Sequence, residues 1–380
     1  MPFPPLVKPV TELPTDEVGR HAHQLILAGH GSQGQRRLAA ARVLVIGADE
    51  IGAPLIGHLA DSGIGTIAVA DGSPLNAWDR CLGVSREPAS SRAQAWAQAL
   101  RHSHPHLRVV PIETRFEVDT GPQMAAGYDL VVCASEDPAR CRLVDDVCAR
   151  TGTPYVWGAM DGVRGTVSVF WEPHGPGFRD LYPRPPRPYF RGMAGTLRLV
   201  GVWLAAAMAT EAVKLLTGTG NPLVGRVMTY DAMAGVCALE PLRRDPGTVR
   251  PAVLTAAPPF FGLLSPQAAD AARESTISVE ELKDLLDTEA PITIVDVREP
   301  EEYALSHLPG SHLIPKGEFL DGDAATRLPR DRRVVLLCRM GIRSAEVLAV
   351  VKKSGHPDAV HLGGGIVAWA ERINPSMPTY

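Results

Sequence analysis

The chain has 380 residues, 45% of them hydrophobic and 21% charged, with a formal net charge of −4 at pH 7. That length exceeds one ordinary core and implies two or three domains, while the near-neutral balance removes any bulk electrostatic case for nucleic acid or an anionic membrane surface. Six cysteines, at positions 81, 133, 141, 148, 237 and 338, include no C-x-x-C pair, which argues against a disulfide framework and against structural zinc.

The proline-rich start, MPFPPLVKP, lacks the apolar core of a signal peptide. A helical entry over residues 19–41 leads into RVLVIGADEIGAPLIGHLADSGIGTIAVAD, Arg42 to Asp71. This run reads as a buried strand, a glycine turn, an apolar helix and a second strand ending in an acid, the pattern of a βαβ nucleotide-binding unit. Gly47 permits the tight turn and Gly52 the close packing of helix on strand; Asp71, twenty-four residues after Gly47, stands where a ribose-binding acid belongs. The middle glycine of the motif is replaced by Asp49, which brings bulk and negative charge where backbone would approach phosphate.

A second helix is predicted near SRAQAWAQALR. His102, His104 and His106 follow and read as a solvated loop rather than a metal site, because no cysteine or carboxylate cluster joins them. Cys133, Cys141 and Cys148 fall in a strand and helix as small buried hydrophobes; the spacing of the last two would also let them share one helix face and relay sulfur. The longest apolar run, Leu199 to Ala209, is well short of the ~20 residues that span a bilayer, so a soluble cytoplasmic protein is expected. The helix around it, with Trp203 and Met208 read as core, is apolar nearly all round and needs burial on several sides. Pro241 to Ser275 carries six prolines and reads as a linker, which gives boundaries of 1–240 for a nucleotide-binding-fold domain, 241–275 for the linker and 276–380 for a second domain.

The order of RVLVIGA, GTIAVAD, the SRAQAWAQALR helix, YDLVVCASEDPARCRLVDD, TPYVWGAMDGVRGTVSVFW, RDLYP and TEAVKLLTG with VGRVMTYDA resembles the ubiquitin-activating-like adenylyltransferases, among them the bacterial MoeB and ThiF proteins, from about Gly19 to Asp231. The resemblance implies a homodimer that uses ATP and magnesium to adenylate the C-terminal glycine of a small ubiquitin-like sulfur carrier protein. It implies cofactor-binding roles for Gly47, Gly52 and Asp71, for Arg92 at the place of a phosphate-binding lysine, and for Glu136 at the place of a magnesium-binding aspartate. Zinc cysteines are missing, and other positions depart from the family pattern. Asp79 and Leu82 stand for an asparagine and an arginine finger, His23 for the arginine donated by the partner subunit, and Arg191 near the place where some members carry a second cysteine. The losses fall on phosphate contacts, where each charge-assisted hydrogen bond is worth roughly 1.5–3 kcal/mol. ATP binding and adenylation are therefore expected to be weak or absent while the fold persists.

Near the C-terminus, VVLL (Val334 to Leu337) predicts a short buried strand and SAEVLAVVKKSG an amphipathic helix closed by Gly355. Between them CRMGIRS puts Cys338 on a tight strand-to-helix turn, where free amides and the helix dipole favour an anion on sulfur and Arg339 and Arg343 add positive charge. Phosphate-ester cleavage and sulfur transfer both use such a cradle. Only four residues separate Cys338 from Arg343, so the ring of donors is small and suits one terminal sulfur better than three phosphate oxygens. With ITIVDVREPEEYALSHLPGSHLIP upstream and HLGGGIVAWA downstream, residues from about 276 to 375 resemble the rhodanese family of sulfurtransferases. That resemblance implies a persulfide on Cys338, with Arg339 and Arg343 in the catalytic loop, fed by a cysteine desulfurase or thiosulfate.

The whole chain then resembles a MoeZ-type adenylyltransferase/sulfurtransferase. The expected fold class is α/β, a Rossmann-like ubiquitin-activating-type adenylyltransferase domain followed by a small α/β rhodanese domain. In the alternative reading the chain is a thiosulfate-type sulfurtransferase whose first domain is a non-catalytic dimerisation and docking platform.

Overall fold

The computed structural model describes residues 3–75, 89, 91–135, 137–183, 195–251, 253, 254, 272, 274–320 and 322–378. The chain divides into two compact units, Met1–Tyr189 with Thr196–Ala257, and Phe190–Gly195 with Pro258–Tyr380.

The first unit is built on an eight-stranded sheet in the order β3-β2-β1-β4-β5-β6-β7-β8. Its strands are β1 Arg42–Ile46, β2 Thr66–Ala70, β3 Arg108–Ile112, β4 Leu130–Cys133, β5 Tyr155–Asp161, β6 Arg164–Phe170, β7 Arg226–Asp231 and β8 Val236–Pro241. The first five are parallel and the last three are added antiparallel. Alternation along β1 feeds both faces: Val43 and Val45 pack with Leu55, Ile56 and Leu59 of the helix Gly52–Asp61, and Leu44 and Ile46 with Val144 and Val147 of the helix Pro138–Thr151. A parallel strand covered on both faces has to be apolar throughout, which is why RVLVI lacks a polar–apolar rhythm. Because β1 lies between β2 and β4, successive crossovers leave it in opposite directions. Their divergence opens a crevice at the strand C-termini, where doubly wound sheets take ligands.

The expected helical entry is broken into Thr15–Arg20, Ala22–Leu25 and Gly31–Ala40. Gly29 and Gly31 take φ of +84° and +55°, a left-handed interruption that a continuous helix does not allow. The helix Arg198–Thr217 has 20 residues, more than its apolar run suggested, and is long and apolar enough to cross a membrane by length and composition. Its inner side, with Leu204, Met208, Ala212 and Leu215, is nevertheless buried against β5, β6 and the helix Gly52–Asp61. It also carries a buried carboxylate, Glu211, which accepts from Leu223 N–H at 2.8 Å and pairs with Lys214. Met208 is core as expected, whereas Trp203 is only half-buried and stacks on Tyr230 with ring centroids 4.7 Å apart.

The start of the expected linker belongs to the first unit. Leu242 N–H donates to Gly225 O at 2.8 Å, Arg244 binds Glu172 at 2.5 Å, and Arg250 binds Asp145 at 2.7 Å. Asp145, 1% exposed, also accepts from the Tyr155 hydroxyl at 3.0 Å, so the segment is pinned to a buried charge. Most of the remainder, with the helix expected near SPQAADAARE, lies outside the described residues.

The second unit has a five-stranded parallel sheet in the order β11-β10-β12-β13-β9. Its strands are β9 Thr276–Ile277, β10 Ile292–Asp296, β11 His312–Leu313, β12 Arg333–Leu337 and β13 Val360–Leu362. Central β12 again serves two layers, with Val334 and Leu336 against Val347 and Leu348 of the helix Ile342–Lys353, and Val335 and Leu337 against Leu282 and Trp369. The C-terminal end of β12 therefore points straight into the turn that carries Cys338.

Candidate functional site

Cys338 follows β12 directly and is 1% exposed. Gly341 N–H donates to its Sγ at 3.1 Å, and Ser344 Oγ lies 3.5 Å from the same sulfur. Gly341, at φ +97°, caps the helix Ile342–Lys353. A second wall of the loop is the glycine run of HLGGGIVAWA: Ile366 N–H donates to Cys338 O at 2.9 Å and Val367 N–H to Arg339 O at 3.1 Å. A Cβ at Gly365 would sit 2.3 Å from Cys338 O and 2.4 Å from Arg339 O, so glycine there is required by backbone contact. The loop thus presents one sulfur to two donors, the Gly341 amide and the Ser344 hydroxyl.

The two arginines of the loop are placed differently. Arg339 is half-buried beside Cys338. Arg343, expected to lend charge to sulfur, is 3% exposed and forks onto Glu302 at 2.5 and 2.7 Å, holding the helix Pro300–Leu305 against the loop. Its charge is met by a carboxylate, which corrects the reading of Arg343 as a cation serving the sulfur directly. Removing one partner of such a buried pair typically costs about 3–5 kcal/mol, so Arg343 also anchors the loop to the helix Pro300–Leu305. Asp296 and Arg298, both 0% exposed, form a comparable pair at the end of β10.

In the first unit the glycine turn is formed as the motif requires. Gly47 has φ +91°, and a Cβ at Gly52 would sit 2.0 Å from Gly47 O. Asp71 accepts from Ala48 N–H and Ser73 N–H, each at 2.9 Å. Arg92 Nη1 lies 3.7 Å from Asp71 Oδ2, with side chains only 13% and 9% exposed. The acid expected on ribose and the cation expected on phosphate therefore meet each other, and Asp49 adds a half-buried carboxylate to the same turn. Asp79, Leu82, Glu136 and Arg191 lie outside the described residues.

Two other sequence readings meet their geometry. Carboxylates do join the histidines: His104 pairs with Asp61 at 3.0 Å and His106 with Asp16 at 2.7 Å, and Asp16, Glu17 and His106 bring ligand atoms within 4.8 Å of one another. The Asp16 and His106 side chains are 64% and 42% exposed, so a surface ion pair accounts for the arrangement. Cys133, Cys141 and Cys148 are all buried, with Sγ of the first two 3.8 Å apart. The hydrogen bond to Cys133, then burial, raises the Cys141 thiol well above its ordinary value, and burial does the same to Cys148. Protonated and enclosed, these two are packing groups rather than a sulfur relay.

Sequence reasoning missed Glu302, Ser344, His361 and Thr276. The first three stand inside the quoted motifs EPEEY, CRMGIRS and HLGGG, but their partners come from distant segments.

Comparison with known proteins follows the same division. The ThiF family pattern matches residues 21–245, and a rhodanese-like domain pattern matches residues 278–372. The probable adenylyltransferase/sulfurtransferase MoeZ of Mycobacterium tuberculosis is 40% identical over 391 residues, covering 100% of this chain and 99% of its own length. The adenylyltransferase and sulfurtransferase MOCS3 of Mus musculus is 30% identical over 416 residues, covering 99% and 90%. Escherichia coli MccB, solved with AMPCPP and MccA, superposes with a TM-score of 0.55 at 16% identity over 63% of this chain and 75% of its own, a likeness of fold alone. The α/β reading of both domains holds, and the chain belongs to the ThiF family, in the branch of MoeZ and MOCS3 that joins this domain to a C-terminal rhodanese-like domain.

Proposed function

We propose that the chain is a sulfurtransferase that takes sulfur from a cysteine desulfurase or thiosulfate as a persulfide on Cys338 and delivers it to the C-terminal glycine of a ubiquitin-like sulfur carrier protein. The observation that carries this reading is the Cys338 turn, with Gly341 N–H on its sulfur at 3.1 Å. That amide stabilises negative charge on sulfur as it attacks the donor. The terminal persulfide sulfur then attacks the carrier's acyl-adenylate and AMP leaves. An external thiol supplies the two electrons that release the thiocarboxylate from the acyl–S–S–Cys338 link. The thiosulfate-only alternative fits less well, because relatives spanning the whole chain are named for both activities.

The adenylation half is where this chain departs. With Arg92 turned to Asp71 and Asp49 in the phosphate turn, the adenylate is expected from a separate enzyme. A cytoplasmic location suits the free state of Cys133, Cys141, Cys148, Cys237 and Cys338.

A homodimer is supported by apolar groups left facing outward on the first unit. Leu199 and Val202 are 71% and 43% exposed along one side of the helix Arg198–Thr217, and Ile26 and Leu27 are 82% and 60% exposed close to His23 in sequence. Light scattering at micromolar concentration should give twice the chain mass, and a monomer would refute it.

The central reading is tested by reconstitution. The full chain, a sulfur donor, a reductant and a ubiquitin-like carrier adenylated by an independent enzyme should yield carrier thiocarboxylate by mass spectrometry. Persulfide on Cys338 without any thiocarboxylate would leave sulfur loading standing and remove the carrier as its acceptor.

A further inference from the structure

Behind Cys338 runs a line of buried polar side chains that the chemistry described above leaves unused. Ser344 Oγ is 3.5 Å from Cys338 Sγ and 3.4 Å from His361 Nδ1. Cys338, Ser344 and His361 are 1%, 0% and 0% exposed. On the far side, His361 Nε2 lies 2.8 Å from Thr276 Oγ1, and that hydroxyl gives its single hydrogen to Ala272 O at 2.5 Å. A hydroxyl whose hydrogen is engaged can only accept, so Nε2 must donate to it and the neutral ring keeps its lone pair on Nδ1, facing Ser344. Ser344 can turn its own hydrogen to Gly341 O at 3.1 Å or to that nitrogen. Sulfur, hydroxyl and imidazole thus form a path along which a proton moves without any side chain leaving its place.

The surroundings keep the ring neutral, a weak base that holds a proton only while a thiolate stands beside it. Burial lowers the His361 pKa from its usual 6.5 to about 4, against the carbonyls of Gly341 and Ala272, which favour the charged ring. The ring is therefore empty of its second proton at neutral pH, yet finds acceptors on both sides once it gains one. Charges on the elements packed around it are largely paired: Arg343 with Glu302, Asp296 with Arg298, and Glu346 with Lys316. Lys352 is held by Ser275 Oγ at 2.5 Å, and Arg339 stands on the loop itself. A thiolate forming at Cys338 would be the new charge that draws a proton onto the ring.

We propose that His361, acting through Ser344 as a positioning residue, receives the proton of Cys338 as sulfur is loaded, an inference that rests on the persulfide reading. With thiosulfate as donor, Ser344 passes its hydrogen to Nδ1 and takes that of Sγ. The thiolate attacks the outer sulfur; the new bond to Sγ forms as the bond between the two thiosulfate sulfurs breaks, and sulfite leaves with that electron pair. His361, enclosed in the core, then returns the proton through Ser344 to the departing sulfite, which leaves as hydrogen sulfite while the persulfide keeps one negative charge.

The test compares the full chain with Ser344→Ala, His361→Asn and Thr276→Val, each first checked for an unchanged melting transition. Two rates are followed from about pH 5 to pH 10: sulfur uptake from thiosulfate, and alkylation of Cys338 by iodoacetamide. In Ser344→Ala and His361→Asn the pH of half-maximal rate should rise by about one unit, a roughly ten-fold loss near pH 7, with convergence on wild type in alkali where the thiol needs no acceptor. Thr276→Val, which frees the tautomer, should shift the profile in the same direction by less. Unshifted profiles, or rates reduced by one factor at every pH, would overturn the relay. Alkylation does not require sulfur transfer, so alkylation profiles displaced in the variants relative to wild type, with no sulfur uptake by the wild-type chain, would sink the persulfide reading and leave the relay standing. Three variants at separate points of the path keep the decision open should any one of them fail to fold.

Discussion

Cys338→Ala will take up no sulfur from thiosulfate or a cysteine desulfurase, and intact-protein mass spectrometry will find the wild-type chain heavier by sulfur that the variant lacks. The fold should survive the change, because it removes one small buried side chain from a core of more than ten residues and costs on the order of 1 kcal/mol. No other described cysteine competes. Cys133, whose thiol the hydrogen bond with Cys141 lowers, is 0% exposed and out of a donor's reach; Cys141 and Cys148 are enclosed and held protonated; and Cys237 lies exposed on edge strand β8 with no loop of amides around it. Persulfide located on a cysteine other than Cys338 in the wild-type chain would refute the assignment.

ATP–pyrophosphate exchange with a cognate carrier should lie near background, the second large effect expected. Adenylation develops charge on the α-phosphate, and losing one preorganised donor of such a site typically lowers the rate 10²–10³-fold. Here Arg92 lies 3.7 Å from Asp71, and Asp49 puts a half-buried acidic residue in the turn between Gly47 and Gly52. At the two positions that the resemblance assigns to arginines, His23 lacks an arginine's fork and permanent charge, and Leu82 carries no charge at all. Mg-ATP should accordingly fail to raise the melting temperature of the chain, although a ligand at 100 times its Kd stabilises by ~2.7 kcal/mol. Asp49→Gly should move both readouts toward those of an intact relative assayed beside it. Exchange by the wild-type chain at that relative's rate would mean that the phosphate site has been rebuilt from other residues.

What the sequence disclosed and what it hid follow from distance along the chain. Gly47, Gly52 and Asp71 are legible because a βαβ turn is local, and Cys338 because its strand, turn and helix occupy one short stretch. Arg343 was misread because its partner Glu302 is 41 residues away, and nothing in CRMGIRS announces a buried carboxylate. The line from Ser344 to His361 to Thr276 spans separations of 17 and 85 residues, brought together only when β9 and β13 pair beside β12. The linker was half legible: proline content is the same whether a segment is docked or not, and what docks Arg244 and Arg250 is Glu172 and Asp145. The entry helix failed for a different reason, since two left-handed glycines outweighed an otherwise helical composition.

The depth of Cys338 makes its loop a filter by reach. With Cys338 1% exposed and Met340, two residues on, 48% exposed, the bare thiol should react slowly with a bulky disulfide such as oxidised glutathione, whose reacting sulfur is flanked by its own chain. A donor that offers sulfur at a narrow tip can still reach it. Once loaded, the nucleophile lies one sulfur–sulfur bond, about 2 Å, further from the backbone, and contact that was withheld from the thiol opens to the carrier tail. The same burial that keeps the empty enzyme from forming mixed disulfides thus couples its reactivity to whether it has cargo to give.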